Sequence, residues 1–306
     1  MEIINLKTMA KEDLCENTIV ALGTFDGCHL AHKAVITSSF IMAKKQGLKS
    51  LVYTFKSLPK SHNGENVGCI FTLEERIKAI KSLGVDYLAL EDFENVKDLT
   101  PTEFFENVLT KELLAKGASC GYNYRFGKGA SADATTLKEL FLKNGGGSVQ
   151  ICNKIELNGH HISSTRIREL IKKGEVEELF QYGTHYSVYS PVLFGKHLAT
   201  KMGLPTINQI IPNGKIVPKT GVYITECEIG EDVYPSITNI GVRPTTDENG
   251  EMNMETHIVN YDGLLYGSYI RVNFYKYLRG EKKFNSKEEL FEEIERNKQQ
   301  AIKYFK

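Results

Sequence analysis

The chain has no excess of either charge: Lys plus Arg and Asp plus Glu each number 38 in 306 residues. Surfaces that gather a polyanion do so through a basic surplus, so nucleic acid is not an expected partner. Long apolar runs are also missing. No window approaches the roughly 18 uninterrupted apolar residues that span a bilayer, and the opening "MEIINLKTMAKEDLC" has no apolar core of signal-peptide type. This points away from a membrane and towards a soluble, cytoplasmic protein. The six cysteines, at 15, 28, 69, 120, 152 and 227, never fall at Cys-x-x-Cys spacing, which argues against a structural zinc site or a compact disulfide framework and leaves free thiols. Cys28, between Gly27 and His29 near a helix start where a thiol pKa can fall, reads as a small packing residue ahead of a nucleophile. Internal repeats are absent, and 61–68 and 144–147 read as loops.

What is present divides in two, as a prior of roughly 150 residues per domain suggests. The first half alternates strand-like "TIVALGTF", an apolar-periodic stretch 31–45, "LKSLVYTF", helix-like "TLEERIKAIKSLG" and "VDYLAL". A helix over 101–114, a strand over 117–121, a helix over 134–143 and a strand over 148–155 continue the βαβ rhythm of a parallel sheet covered by helices. "SSTRIRELIKKG" then has both helix ends marked. In such sheets ligands bind beyond the carboxyl ends of the strands, where Gly23 to His32 would lie. After Gly183 the rhythm changes to short β-type runs separated by Gly, Pro and Asn turns, the pattern of an antiparallel barrel or sandwich. A closing helix carries an apolar stripe of Leu290, Phe291, Ile294, Ala301 and Phe305. The boundary falls between 183 and 184.

In "GTFDGCHLAH" the histidines His29 and His32 are three residues apart, so on a helix they share a face, and the helix start adds backbone N–H donors and a positive dipole end. The place suits an anion; a metal reading needs a third ligand that the local sequence does not supply, and exposed or capping histidines remain an equal reading. "ISSTRIREL" offers Ser163, Ser164 and Thr165 at another helix start, with Arg168 one turn on from Ser164, able to grip a phosphate with its fork. Helix capping alone also explains the three hydroxyls.

Together these stretches resemble the His-x-Gly-His and Ser-Ser-Thr-x-x-Arg signatures of the nucleotidyltransferase superfamily, with Ala31 in place of the usual glycine. Over nearly the whole chain the resemblance is to the bacterial bifunctional riboflavin kinase/FAD synthetases. "GYNYRFGKGA" (121–130) is similar to that family's Gly-x-Asn/Asp-Phe-x-Phe-Gly segment. "KMGLPTINQ" is similar to its kinase motif Gly-Phe-Pro-Thr-Ala-Asn, followed in order by "GVY", "NIGVRPT", "METHI", "LLYG" and "LRGEKKF". The chain departs from the family pattern at Lys56 and Leu58, where an Asp and a His are usual, at Leu204 and Ile207, and at Asn297, where an Asp is common.

The resemblance implies a Rossmann-like α/β nucleotidyltransferase domain over 1–183 and an antiparallel β-barrel flavokinase domain with a C-terminal helix over 184–306. In the first, the phosphate of FMN attacks the α-phosphorus of ATP to give FAD and pyrophosphate. His29, His32, Asn123 and Arg168 are implied as catalytic residues, donors on the phosphate and flavin side, with Gly23, Phe25, Asp26, Gly27, Ser163, Ser164 and Thr165 as nucleotide-binding residues. In the second, the 5'-hydroxyl of riboflavin attacks the γ-phosphorus of ATP. Glu255 is implied as base, Gly203, Pro205, Thr206 and Asn208 as the nucleotide cradle, and Thr206 and Asn208 as holders of Mg²⁺. Riboflavin, ATP, FMN and FAD are then the partners. The alternative is that one half is active and the other a flavin-binding or regulatory module.

Overall fold

The computed structural model describes residues 1–5, 16–59, 67–194, 206–242 and 252–306. These form two compact units, Met1–Ser164 and Thr165–Lys306.

The first unit is a sheet of six parallel strands. They are β1 (Glu2–Asn5), β2 (Thr18–Leu22), β3 (Lys49–Phe55), β4 (Tyr87–Glu91), β5 (Ala115–Gly121) and β6 (Ser148–Cys152), ordered β1-β4-β3-β2-β5-β6. Strand β2 is buried along its whole length, which is why its apolar residues run continuously instead of alternating. Helix α1 (Leu30–Gln46) connects β2 to β3, α2 (Leu73–Lys81) lies between β3 and β4, and α3 (Ala134–Lys143) between β5 and β6. The start of α2 is fixed by a capping box: Glu75 N–H donates to Thr72 Oγ1, and Thr72 N–H donates to Glu75 Oε2.

Two features of this unit differ from the sequence reading. The expected helix over 101–114 is α-helical only at Pro101–Glu103 and continues as a π-helical segment, Phe104–Glu112. Its wider turn lets Phe104, Phe105, Val108 and Leu109 all enter the core. The four-residue edge strand β1, paired among the described residues with β4 alone, is too short to announce itself by periodicity.

The second unit begins with the rest of helix α4 (Ser164–Lys173) and a 3₁₀ segment, Val176–Tyr182. Its sheet is antiparallel, with strands β7 (Tyr186–Pro191), β8 (Thr206–Ile210), β9 (Gly221–Ile229), β10 (Asp232–Val242), β11 (Met252–Ile258) and β12 (Tyr269–Arg279) in the order β7-β12-β9-β10-β11-β8. The two edges meet where Leu193 N–H donates to the Asn208 carbonyl at 2.7 Å, so the sheet curls into a barrel. One face of β9 to β11 carries a buried hydroxyl chain: Thr225 Oγ1 bonds Ser236 and Thr238, and Thr238 bonds Thr256, at 2.8 to 2.9 Å. The opposite face carries Ile224 and Ile237, which pack with Ala301, Ile294 and Phe305 of the helical C-terminal segment α5 (Lys287–Tyr304) and its end. Phe291, expected in that stripe, is 44% exposed; it lies one residue, about 100° of helix turn, from Leu290. Among the described residues no helix is long and apolar enough to cross a membrane.

Candidate functional site

In the first unit the chain leaves β2 towards β3 on one side, and leaves β5 towards β6 on the other. The loops after β2 and β5 therefore diverge and open a crevice at the carboxyl ends of those strands. The β2 loop turns tightly, with Phe25 at φ 51°, Gly27 at 77° and Cys28 at 40°. A side chain at Gly27 would be strained by that φ and would bring its Cβ to 3.0 Å from Ile70. Strain of this kind persists only where surroundings over-determine it, and the determinants are visible. Phe25 is fully buried. The buried carboxylate of Asp26 accepts N–H bonds from Ile70 and Phe71 at 2.9 to 3.0 Å, so this side chain braces the loop against the segment leading into α2.

The loop delivers His29 as the N-cap of α1, 2% exposed, with its ring stacked on that of His32 at 3.7 Å between centroids. Phe25 meets His32 edge-on. Ser164, at the start of α4, donates to the Asp26 carbonyl at 3.0 Å and lies 3.4 Å from His29 Nε2. The structure thus brings Phe25, Asp26, His29, His32 and Ser164 together. Thr165 and Arg168 continue α4 within the second unit. Beyond β5, Asn123 is exposed in a turn closed by the Tyr124 N–H bond to Gly121, and Tyr122 reaches His161 at 3.1 Å. Cys28 is buried, and burial pushes its thiol up to about 11, which leaves it protonated and suited to packing. The departure residue Lys56 extends its amine to Asp92 at 3.3 Å, while Leu58 is half-buried.

Asp26, expected as a nucleotide-binding residue, braces the loop through its carboxylate. One residue here has no counterpart among the sequence expectations. Arg76, 2% exposed, donates to the carbonyls of Thr24, Phe55 and Lys56, and no sequence motif marks it.

In the second unit a cleft of about 380 Å³ separates the barrel from α5. Thr206, Ile237, Asn239, Glu255 and His257 line the barrel side, and Leu290, Ile294 and Asn297 the helix side. Register explains the first group: Glu255 pairs with Asn208 on one neighbour and Asn239 on the other, and His257 pairs with Thr206 and Ile237. Residues two apart on a strand share a face, so Glu255 and His257 point into the same cleft. Glu255 is exposed and accepts a bond from Asn253 at 3.2 Å. His257 and Asn239 were not singled out, though the alternation of "METHI" already placed His257 beside Glu255. Gly203 and Pro205 lie outside the described residues.

The cleft is held shut at one end by charge. Arg279 Nε lies 3.0 Å from Glu293 Oε1 and donates to Asn297 Oδ1, and Asn297 in turn donates to Glu293. Burial opposes ionisation of Glu293, but the Asn297 bond and the charges of Arg279, Lys282 and Arg296 outweigh it and hold the carboxyl below its usual value. Among the described residues no group of three or more His, Cys, Asp or Glu side chains is arranged to hold a metal. Thr206 and Asn208 stand two apart on β8, with Glu255 opposite Asn208 on β11, so their oxygen-bearing side chains share a face.

Residues 11–166 match the family model for FAD synthetase, and residues 182–305 that for riboflavin kinase. The bifunctional riboflavin kinase/FMN adenylyltransferase of Bacillus subtilis is 32% identical over 304 residues, covering 97% of this chain and 95% of its own. That of Listeria monocytogenes is 30% identical, with 94% and 93% covered, and that of Escherichia coli K12 is 28% identical, with 95% and 93% covered. A solved crystal structure described as a macrolide-efflux protein from Streptococcus pneumoniae superposes with a TM-score of 0.86 at 28% identity, covering 98% of each chain.

Proposed function

The chain belongs to the family of bifunctional riboflavin kinase/FMN adenylyltransferases, and from that premise we propose which residues carry each reaction. It phosphorylates riboflavin to FMN with ATP and adenylylates FMN to FAD with release of pyrophosphate. The efflux role named for the pneumococcal structure stays with that protein. Both matched models and the curated relatives named above specify flavin chemistry. A cytoplasmic location, where ATP is plentiful, fits this reading.

Adenylylation needs no side-chain nucleophile, because the attacking FMN phosphate is already an anion. The task is to hold two anions in line and to stabilise charge growing on the leaving pyrophosphate. His29, His32, Ser163, Ser164, Thr165 and Arg168 serve as donors, Asn123 faces the flavin side, and Gly23, Phe25, Asp26 and Gly27 shape the loop. The observation that supports this reading is the hydrogen bond from Ser164 to the Asp26 carbonyl, which ties one motif to the other across 138 residues of sequence. Phosphorylation of riboflavin differs because a neutral alcohol must lose a proton, and Glu255 is the base. Gly203, Pro205, Thr206 and Asn208 cradle the nucleotide, with Thr206 and Asn208 as oxygen donors to the metal. Mg²⁺, when bound, neutralises polyphosphate charge. Kinase chemistry is assigned to residues 184–306 and adenylylation to 1–183.

Replacing Arg168 by Ala tests the first assignment. Loss of a charge-assisted phosphate contact costs about 1.5 to 3 kcal/mol, so FAD formation falls by roughly 10- to 150-fold while FMN formation persists. An unchanged rate of FAD synthesis removes Arg168 from the site.

A further inference from the structure

Arg76 sits in the first turn of α2, and its guanidinium reaches back to the carboxyl end of the sheet. Nη1 donates to the Thr24 carbonyl at 2.9 Å, and Nη2 to the Phe55 and Lys56 carbonyls at 2.5 and 3.0 Å. One side chain therefore joins the loop leaving β2 to the loop leaving β3. Three further bonds lock the same corner: Thr54 Oγ1 donates to the Thr24 carbonyl, Lys56 N–H to the Glu91 carbonyl, and Ile70 N–H to Asp26. No carboxylate forms an ion pair with Arg76 among the described residues. Asp26, whose charge acts on it through space, is occupied by backbone N–H groups. A guanidinium stays protonated in proteins, and a buried cation without a bonded counter-ion is costly. Such a cost is retained where an anion arrives to offset it or where loop geometry demands a planar fork of donors.

We propose that Arg76 is a positioning residue for FMN adenylylation, setting the spacing of the β2 and β3 loops so that the triphosphate of ATP meets a cradle already formed. The proposal rests on the assignment of ATP to the His29/His32 loop. Arg76 acts through the Thr24 to His29 backbone and touches no reacting atom. Lysine replaces it only in part, because an ammonium donates from one point and the three carbonyls lie beyond β2 and at the end of β3.

A purely structural brace and a positioning residue differ in kinetics. Partial unfolding lowers the fraction of active enzyme and so lowers kcat, with KM unmoved. A distorted cradle raises the KM for ATP specifically. The test uses the full-length chain as wild type, Arg76→Lys, Arg76→Ala and His32→Ala. FAD formation is titrated with ATP and with FMN, and riboflavin phosphorylation is measured on the same preparations as an internal control. The expected result is a KM for ATP raised about tenfold or more in Arg76→Ala and by roughly three- to tenfold in Arg76→Lys. The KM for FMN and riboflavin phosphorylation should stay within about twofold of wild type. Methylguanidinium at millimolar concentration should restore the ATP dependence of Arg76→Ala and leave wild type unchanged. If Arg76→Ala fails to fold, Arg76→Lys decides through its KM alone. An unmoved KM for ATP, with or without a fall in kcat, overturns the proposal. If His32→Ala abolishes FAD formation while Arg76→Lys keeps its KM, only this inference falls. If His32→Ala also makes FAD at the wild-type rate, the ATP assignment falls and takes the inference with it.

Discussion

Ser164 is the narrowest point at which the proposed adenylylation site can be perturbed without touching a charge. Its hydroxyl donates to the Asp26 carbonyl at 3.0 Å and stands 3.4 Å from His29 Nε2. A hydroxyl has one proton, so with that proton given to Asp26 it can only accept from the histidine. Ser164→Ala removes both relations at once. A net hydrogen bond of this kind contributes about 1 to 1.5 kcal/mol, equivalent to roughly 5- to 13-fold in rate if the bond persists in the transition state. The 3.4 Å contact is too long to add much. FAD formation from supplied FMN should therefore fall by that factor, with riboflavin phosphorylation unchanged in the same preparation. Calorimetry should show the variant folded. Ser164→Thr retains the hydroxyl and should recover most of the activity. The reasoning is refuted if Ser164→Ala makes FAD at the wild-type rate, because the bond joining the two motifs would then have no part in the reaction.

Two further expectations concern stability. Burial raises the Asp86 carboxyl, but bonds from the Ser50 hydroxyl and N–H, with help from Lys49, outweigh it and leave the pKa lowered. A carboxylate with a depressed folded pKa contributes stability that is present above its unfolded value of about 3.9 and is lost as pH falls through the folded pKa. Asp86→Asn should therefore lose up to about 1 kcal/mol near neutrality, with the deficit vanishing in melts at the acid end of that window; a deficit independent of pH counts against the linkage. In the second unit, Glu293→Gln breaks the ion pair with Arg279 beside the cleft and should cost about 1 to 2 kcal/mol, read as a lower melting temperature together with a raised KM for riboflavin. An unchanged melt shows that the network is dispensable.

Much of the first unit was legible because its signals are local. Continuous apolar Ile19 to Leu22, the Gly23 break and the histidines at a helix start occupy one stretch, and the alternation of strand and helix fixed the parallel sheet. The edge strand β1 and the π-helical segment were not legible, since one is too short for a period and the other departs from the 3.6-residue repeat. Arg76 was hidden for a different reason. Its partners Thr24, Phe55 and Lys56 lie 52, 21 and 20 residues away, and a backbone carbonyl leaves no residue-type signature. In the second unit, nothing in the sequence marks the buried hydroxyl chain of Thr225, Ser236, Thr238 and Thr256, because composition cannot show that hydroxyls satisfy one another. The cleft lies between the barrel and a helix that begins more than 30 residues after Glu255, a juxtaposition that only the fold supplies.

The central claim is that the two reactions use separate residues and differ in their need for a base. Glu255→Gln tests it most directly. The substitution keeps size and hydrogen-bonding reach but cannot take the proton of the riboflavin hydroxyl. Riboflavin phosphorylation and FMN adenylylation are to be measured on one preparation whose melting transition matches that of wild type. The account predicts that FMN formation falls by about 10² to 10⁴, while FAD formation from supplied FMN stays within about twofold of wild type. Survival of kinase activity within a few-fold contradicts the assignment of Glu255, and loss of FAD formation in the folded variant contradicts the separation of the two sites.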